Sequence, residues 1–125
     1  VFYQELLHIQ NNVFQIFDVP QNKFIKEFST GKKKKAYMNA IFQKTYTIYI
    51  FDEPFNGLDL ESNYVLMNYI RQLSKTSIIF ISSHILEVLY KDCDRIFLIQ
   101  NAKVTEFEKF QYGEIEEKLF SNNVQ

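Results

Sequence analysis

A clear break from mixed polar and apolar positions is the run Thr47-Ile48-Tyr49-Ile50-Phe51, which stops abruptly at Asp52-Glu53-Pro54. β-Branched and aromatic residues without polar alternation predict a strand covered on both faces of a parallel sheet. Pro54 ends it, having no N–H to donate and disfavouring helix just before itself. Ser77-Ile78-Ile79-Phe80-Ile81 is a second run of the same kind. Between them, Val65, Leu66, Tyr69, Ile70 and Leu73 recur at helical spacing and predict a helix from about Glu61 to Ser74. Strand, helix and strand in that length form a right-handed βαβ unit, with its strands parallel neighbours or near-neighbours.

Downstream, the pattern predicts a short helix from Ile85 to Lys91 and a third strand from Ile96 to Ile99. A turn at Asn101-Ala102 leads into a hairpin partner, Lys103 to Phe107. A helix from Gly113 to Phe120 and a frayed tail follow. Upstream, Leu6, Leu7, Val13, Phe14 and Phe17 sit at mixed helical spacings and predict one or two short helices between Tyr3 and Phe17. Asp18 to Asn22 is a turn cluster. Phe24, Ile25 and Phe28 then approach Ser29, an N-cap for a helix from Lys32 to about Gln43. Tyr37, Met38, Ile41 and Phe42 are the expected buried stripe of that helix.

Composition narrows the picture less than pattern does. At 125 residues the chain is one domain or a piece of a larger one, and an apolar fraction of 46% allows a sizeable core. A net charge of −1 makes no electrostatic case for nucleic acid or an anionic membrane. Cys93 is the single cysteine, which excludes an intramolecular disulfide or a thiolate metal cluster and suits a reducing cytosol. It reads as a small buried hydrophobe, and His8 as structural. No apolar run approaches the roughly 20 residues that span a bilayer. The start lacks both an initiator Met and a signal-peptide pattern.

The candidate chemistry lies where elements end. Ligands of open α/β sheets gather at the carboxyl ends of strands. There Asp52 and Glu53 suit a hard cation and the activation of a water. Asp and Pro are equally favoured in turns for local reasons, so this segment alone leaves both readings open. Ser29-Thr30-Gly31 at a helix start offers backbone N–H groups and a hydroxyl to an anion. Lys32 to Lys35 occupy the first turn, where each well-placed cation opposes the helix dipole at a cost of about 0.3–1 kcal/mol. An anion at that terminus would reverse the sign; a solvated surface is the plainer reading of the charge run. His84 closes the second strand at the same sheet edge as Asp52 and Glu53.

In this order and spacing the residues resemble the nucleotide-binding domain of ABC-type ATPases. Phe28-Ser29-Thr30-Gly31-Lys32 resembles the family's signature motif, and Ile48 to Pro54 its Walker B strand with the catalytic Glu. Asn56-Gly57-Leu58-Asp59 resembles the D-loop, Ser83-His84 the switch histidine, and Cys93-Asp94-Arg95-Ile96 the motif that commonly follows. The resemblance covers about Gln10 to Phe107.

It implies a partial P-loop-type α/β domain: a helical subdomain over residues 1–43 ending in the signature helix, and a catalytic α/β part over 44–125. It also implies an ATP-hydrolysing transporter subunit at the cytoplasmic face of the membrane. ATP and Mg²⁺ would be its cofactors, a second nucleotide-binding domain its head-to-tail partner, and a membrane-spanning subunit its docking partner through the N-terminal segment. Nucleic acid is not an expected partner. By position, Ser29 and Gly31 would contact the γ-phosphate of ATP held by the partner, with Thr30 and Lys32 of the same nucleotide-binding motif beside it. Asp52 would support Mg²⁺ through water, and Glu53 would polarise the attacking water. His84 would contact the γ-phosphate, and Asp59 would link the two sites.

The sequence departs from the family pattern in four ways. Thr30 stands for a glycine, Lys32 for a glutamine, and Val88 where a Glu often follows the switch histidine, with Glu87 one place earlier. A Walker A loop, Gly-x₄-Gly-Lys-Ser/Thr, cannot be made from Gly31, Gly57 and Gly113. The chain is therefore expected to be the C-terminal part of the domain and not to hold ATP tightly alone. Two alternatives remain at this point: a non-hydrolysing module that completes a partner's ATP site, and a soluble ABC ATPase.

Overall fold

A computed structural model of the chain describes residues 2–6 and 14–121. The chain forms two compact units, residues 1–82 and 83–125.

The first unit carries helices α1 (Tyr3–Leu6), α2 (Thr30–Ile41) and α3 (Leu60–Leu73) with strands β1 (Ile48–Asp52) and β2 (Ile78–Ser82). The strands pair in parallel, Ile48 opposite Ile78 and Asp52 opposite Ser82, as the strand–helix–strand pattern requires. Both apolar runs end at one edge, which brings Asp52 beside Ser82.

The expectation of a strand covered on both faces is corrected. Tyr49 and Phe51 are buried, but Ile48 and Ile50 are 51% and 78% exposed, and their partners Ile78 and Phe80 are 56% and 53% exposed. Side chains alternate across a strand, so the apolar run fills both faces. Among the described residues, one face is covered and the other is not.

On the covered face Phe42 packs against Tyr49, Phe51 and Tyr69, with ring centroids 6.3, 6.0 and 4.7 Å apart. Leu66, Met67, Ile70 and Leu73 are the buried apolar positions of α3, close to the expected stripe, with Ser62 buried in its first turn and Val65 and Tyr69 half-buried.

Helix α2 starts two residues earlier than its spacing predicts, because Ser29 accepts the Lys32 N–H at 3.3 Å and the turn begins at once. Its buried residues are Ala36, Met38 and Asn39, with Phe42 buried at its C-cap, while Tyr37 and Ile41 are about half exposed. The predicted stripe is thus half right. What rotates the buried face is Asn39, which ties the preceding segment to the helix. Its Oδ1 accepts from the N–H groups of Ile16 and Phe17 at 3.0 and 3.1 Å. Its Nδ2 donates to the Tyr3 hydroxyl at 2.7 Å and the Phe17 carbonyl at 2.8 Å.

Of the helices expected between Tyr3 and Phe17, the described residues carry the four-residue α1, and residues 14–17 are not helical. Leu7 and Val13 lie outside the described residues. A 3-10 turn at Ile25–Glu27, absent from the sequence reading, leads into Ser29.

The second unit carries α4 (Leu86–Asp92), the hairpin β3 (Ile96–Gln100) and β4 (Lys103–Phe107), a 3-10 turn, and α5 (Tyr112–Phe120). The strands pair antiparallel, Ile96 opposite Phe107, as the pattern predicts. Asn101 and Ala102 make the turn with φ of 52° and 58°, the doubly left-handed geometry that matches the twist of a two-residue hairpin. Leu89, Ile96, Phe107, Tyr112 and Ile115 form this unit's core. No described helix is long and apolar enough to cross a membrane.

Candidate functional site

The carboxyl edge of the β1–β2 pair is built by two hydroxyl contacts. Ser82 Oγ donates to Asp52 Oδ1, fixing the carboxylate that β1 delivers to the strand end. The Glu53 N–H donates to both the carbonyl (3.1 Å) and the hydroxyl (3.0 Å) of Ser82. Glu53 then turns the chain with φ of 45°, a left-handed conformation that costs an L-residue about 1–2 kcal/mol. Pro54 and Phe55 beyond it are buried and anchor the turn. Ser82 is the contributor that sequence reasoning missed; its place opposite Asp52 in a parallel register is the signal that could have found it.

The loop 53–59 is seated on α2. Lys34 Nζ donates to the carbonyls of Glu53 (2.7 Å) and Asn56 (2.9 Å). Lys35 pairs with Asp59 at 3.2 Å. Gly31 sits so close to the loop that a Cβ there would lie 2.8 Å from the Gly57 carbonyl oxygen. Gly57 itself has φ of 76°, where glycine is unstrained. Residues 31, 34 and 35 share one face of a helix by their i, i+3, i+4 spacing. The lysine run, read from sequence as a solvated surface, therefore has two members committed to the loop, which answers much of its unfavourable place in the helix dipole. Burial pushes the Lys34 ammonium below its ordinary value, while the nearby Glu53 and Asp52 carboxylates pull it the other way.

Asp59 caps α3, its Oδ1 accepting the Ser62 N–H at 2.8 Å, and its other oxygen faces Lys35. The Ser62 hydrogen bonds, followed by Lys35, hold this carboxyl down at about 2. Ser29, Thr30 and Lys32 are exposed at the start of α2. Ser29 Oγ accepts in the cap and retains its own O–H as a donor. His84 lies in the second unit, exposed, just after Ser83, whose hydroxyl accepts the Ile85 N–H at 3.1 Å. The structure thus brings Gly31, the Asp52–Glu53 edge and Asp59 into one connected assembly.

Among the described residues no group of three or more His, Cys, Asp or Glu side chains could by itself hold a metal ion. An exposed carboxylate at a strand end nonetheless fits Mg²⁺, which keeps most of its water and takes one or two carboxylates with substrate phosphates.

No protein-family model matches the chain. It is 38% identical over 81 residues to a putative ABC transporter ATP-binding protein of Pyrococcus furiosus, covering 64% of this chain and 30% of that protein. It is 32% identical over 84 residues to the ABC transporter ATP-binding protein NatA of Bacillus subtilis, covering 66% and 34% respectively. A solved ATP-binding subunit of an ABC transporter superposes with a TM-score of 0.70 at 27% identity, over 84% of this chain and 48% of that one. The chain has the sequence and fold of part of an ABC-transporter ATP-binding domain, and spans about a third of the length of the curated relatives it matches.

Proposed function

We propose that this stretch supplies the signature-motif face and the catalytic carboxylates of an ATP-hydrolysing site in a transporter's ATP-binding subunit. The observation that supports this most is the seating of the loop 53–59 on α2: the Walker B edge, the D-loop and the signature helix are one connected piece of protein. In that reading ATP is held by the Walker A loop of a second domain. Ser29 Oγ and the N–H groups at the start of α2 face its γ-phosphate, with Thr30 and Gly31 shaping the approach and Lys32 adding charge beside the anion. Asp52, oriented by Ser82, would hold Mg²⁺ through water, and the ion would supply charge neutralisation at the phosphate oxygens. Glu53 accepts a proton from the attacking water, His84 donates to the γ-phosphate, and Asp59 reports closure to the opposite site. Positioning and charge neutralisation carry most of such a reaction. Coupling of this turnover to a membrane-spanning subunit at the cytoplasmic face follows from the same reading.

In a complete domain carrying this stretch, Glu53→Gln is expected to lower kcat by about 10²-fold or more while leaving KM for ATP nearly unchanged, as loss of a general base requires. Unchanged turnover in steady-state phosphate release would remove Glu53 from the mechanism.

A further inference from the structure

The Glu53 peptide is held from both sides. Its N–H goes to Ser82 of β2, and its carbonyl accepts from Lys34 of α2. Between those anchors the residue adopts a left-handed φ of 45°. The turn's own bonds are long: Asn56 N–H to the Glu53 carbonyl is 3.3 Å and Leu58 N–H to the Phe55 carbonyl is 3.4 Å. Lys34, at 2.7 and 2.9 Å, makes the shorter contacts to this turn. A single ammonium carries three donors, enough to take two convergent carbonyls and leave one for solvent.

We propose that Lys34 is a positioning residue: by gripping the Glu53 and Asn56 carbonyls it fixes the turn that aims the Glu53 carboxylate, so that the signature helix and the water-polarising group move as one body. The inference rests on the role given to Glu53 above. It predicts that a displacement of α2 when ATP is enclosed is passed to Glu53 without an intervening flexible joint.

The test compares Lys34→Met, Lys34→Gln and Lys34→Arg in a complete domain, each alone and with Glu53→Gln. Two readouts are taken: steady-state ATP turnover and amide hydrogen exchange over residues 53–59. Lys34→Met and Lys34→Gln are expected to lower kcat roughly ten- to hundredfold with KM for ATP unchanged, as a displaced catalytic group does. Exchange over 53–59 accelerates while that of β1 and β2 stays as in the parent. Lys34→Arg restores part of both, and neither variant lowers turnover further once Glu53 is Gln. Parental kcat in Lys34→Met and Lys34→Gln overturns the proposal. So does a loss of kcat without faster exchange over 53–59, or an equal further loss in the Glu53→Gln background. If Glu53→Gln alone leaves turnover unchanged, it is the catalytic role of Glu53 that fails. The exchange data then still decide whether Lys34 holds the turn.

Discussion

Asn39 is a buried polar side chain on the otherwise apolar buried face of α2, and it answers four backbone or hydroxyl groups at once. A buried polar group stripped of its partner costs about 1–3 kcal/mol. Asn39→Leu strands the amides of Ile16 and Phe17, so it is expected to destabilise the fold by about 3 kcal/mol in chemical denaturation. Asp59 shows the same economy at the surface, one carboxylate serving as helix cap and ion-pair partner. Its pKa is depressed in the folded state, so its contribution to stability is complete above the ordinary value of 3.8 and is lost as pH falls toward about 2. The stability difference between the parent and Asp59→Asn should therefore shrink over that window in urea titrations. A constant difference would mean that the carboxylate's charge does not stabilise the cap.

At the scale of elements, the hairpin turn carries an avoidable strain. Ala102 holds φ of 58°, which glycine adopts freely and alanine does not. Ala102→Gly is expected to raise stability by about 1 kcal/mol, read as a higher denaturation midpoint at unchanged slope.

Elements were largely legible in the sequence where periodicity was long or chemistry local. The β1–α3–β2 unit, the hairpin and the Ser29 cap all follow from residue types within a few positions. The buried face of α2 was not legible, because it is set by Asn39 reaching Phe17, and a polar residue in an apolar stripe gives no sign of distant partners. Nor was the covering of β1: Ile48 and Ile50 have the residue type of a buried face whatever lies against them. For the candidate site, order and spacing brought forward Asp52, Glu53 and Asp59, which the structure places on one strand end and the loop that follows it. The roles of Lys34 and Ser82 needed tertiary contacts, which a charge run and a strand end do not announce.

Over the whole molecule, one side of the β1–β2 sheet presents Ile48, Ile50, Ile78 and Phe80 to solvent in facing pairs, while the edge that gathers Asp52 and Glu53 is tied to α2 by Lys34. An apolar sheet face beside a polar, hydrogen-bonded edge divides the unit into a surface built for packing and one built for chemistry. The chemistry proposed for that edge is shared between two domains, one presenting the signature face and the other the nucleotide. The most direct test is therefore association. A complete domain carrying Glu53→Gln, which slows turnover and preserves the bound nucleotide, is followed by sedimentation while Mg-ATP is added. The account predicts an ATP-dependent dimer that Ser29→Arg abolishes, because the added side chain stands where the γ-phosphate must approach. A domain that stays monomeric at saturating Mg-ATP, or a dimer indifferent to Ser29→Arg, would contradict it.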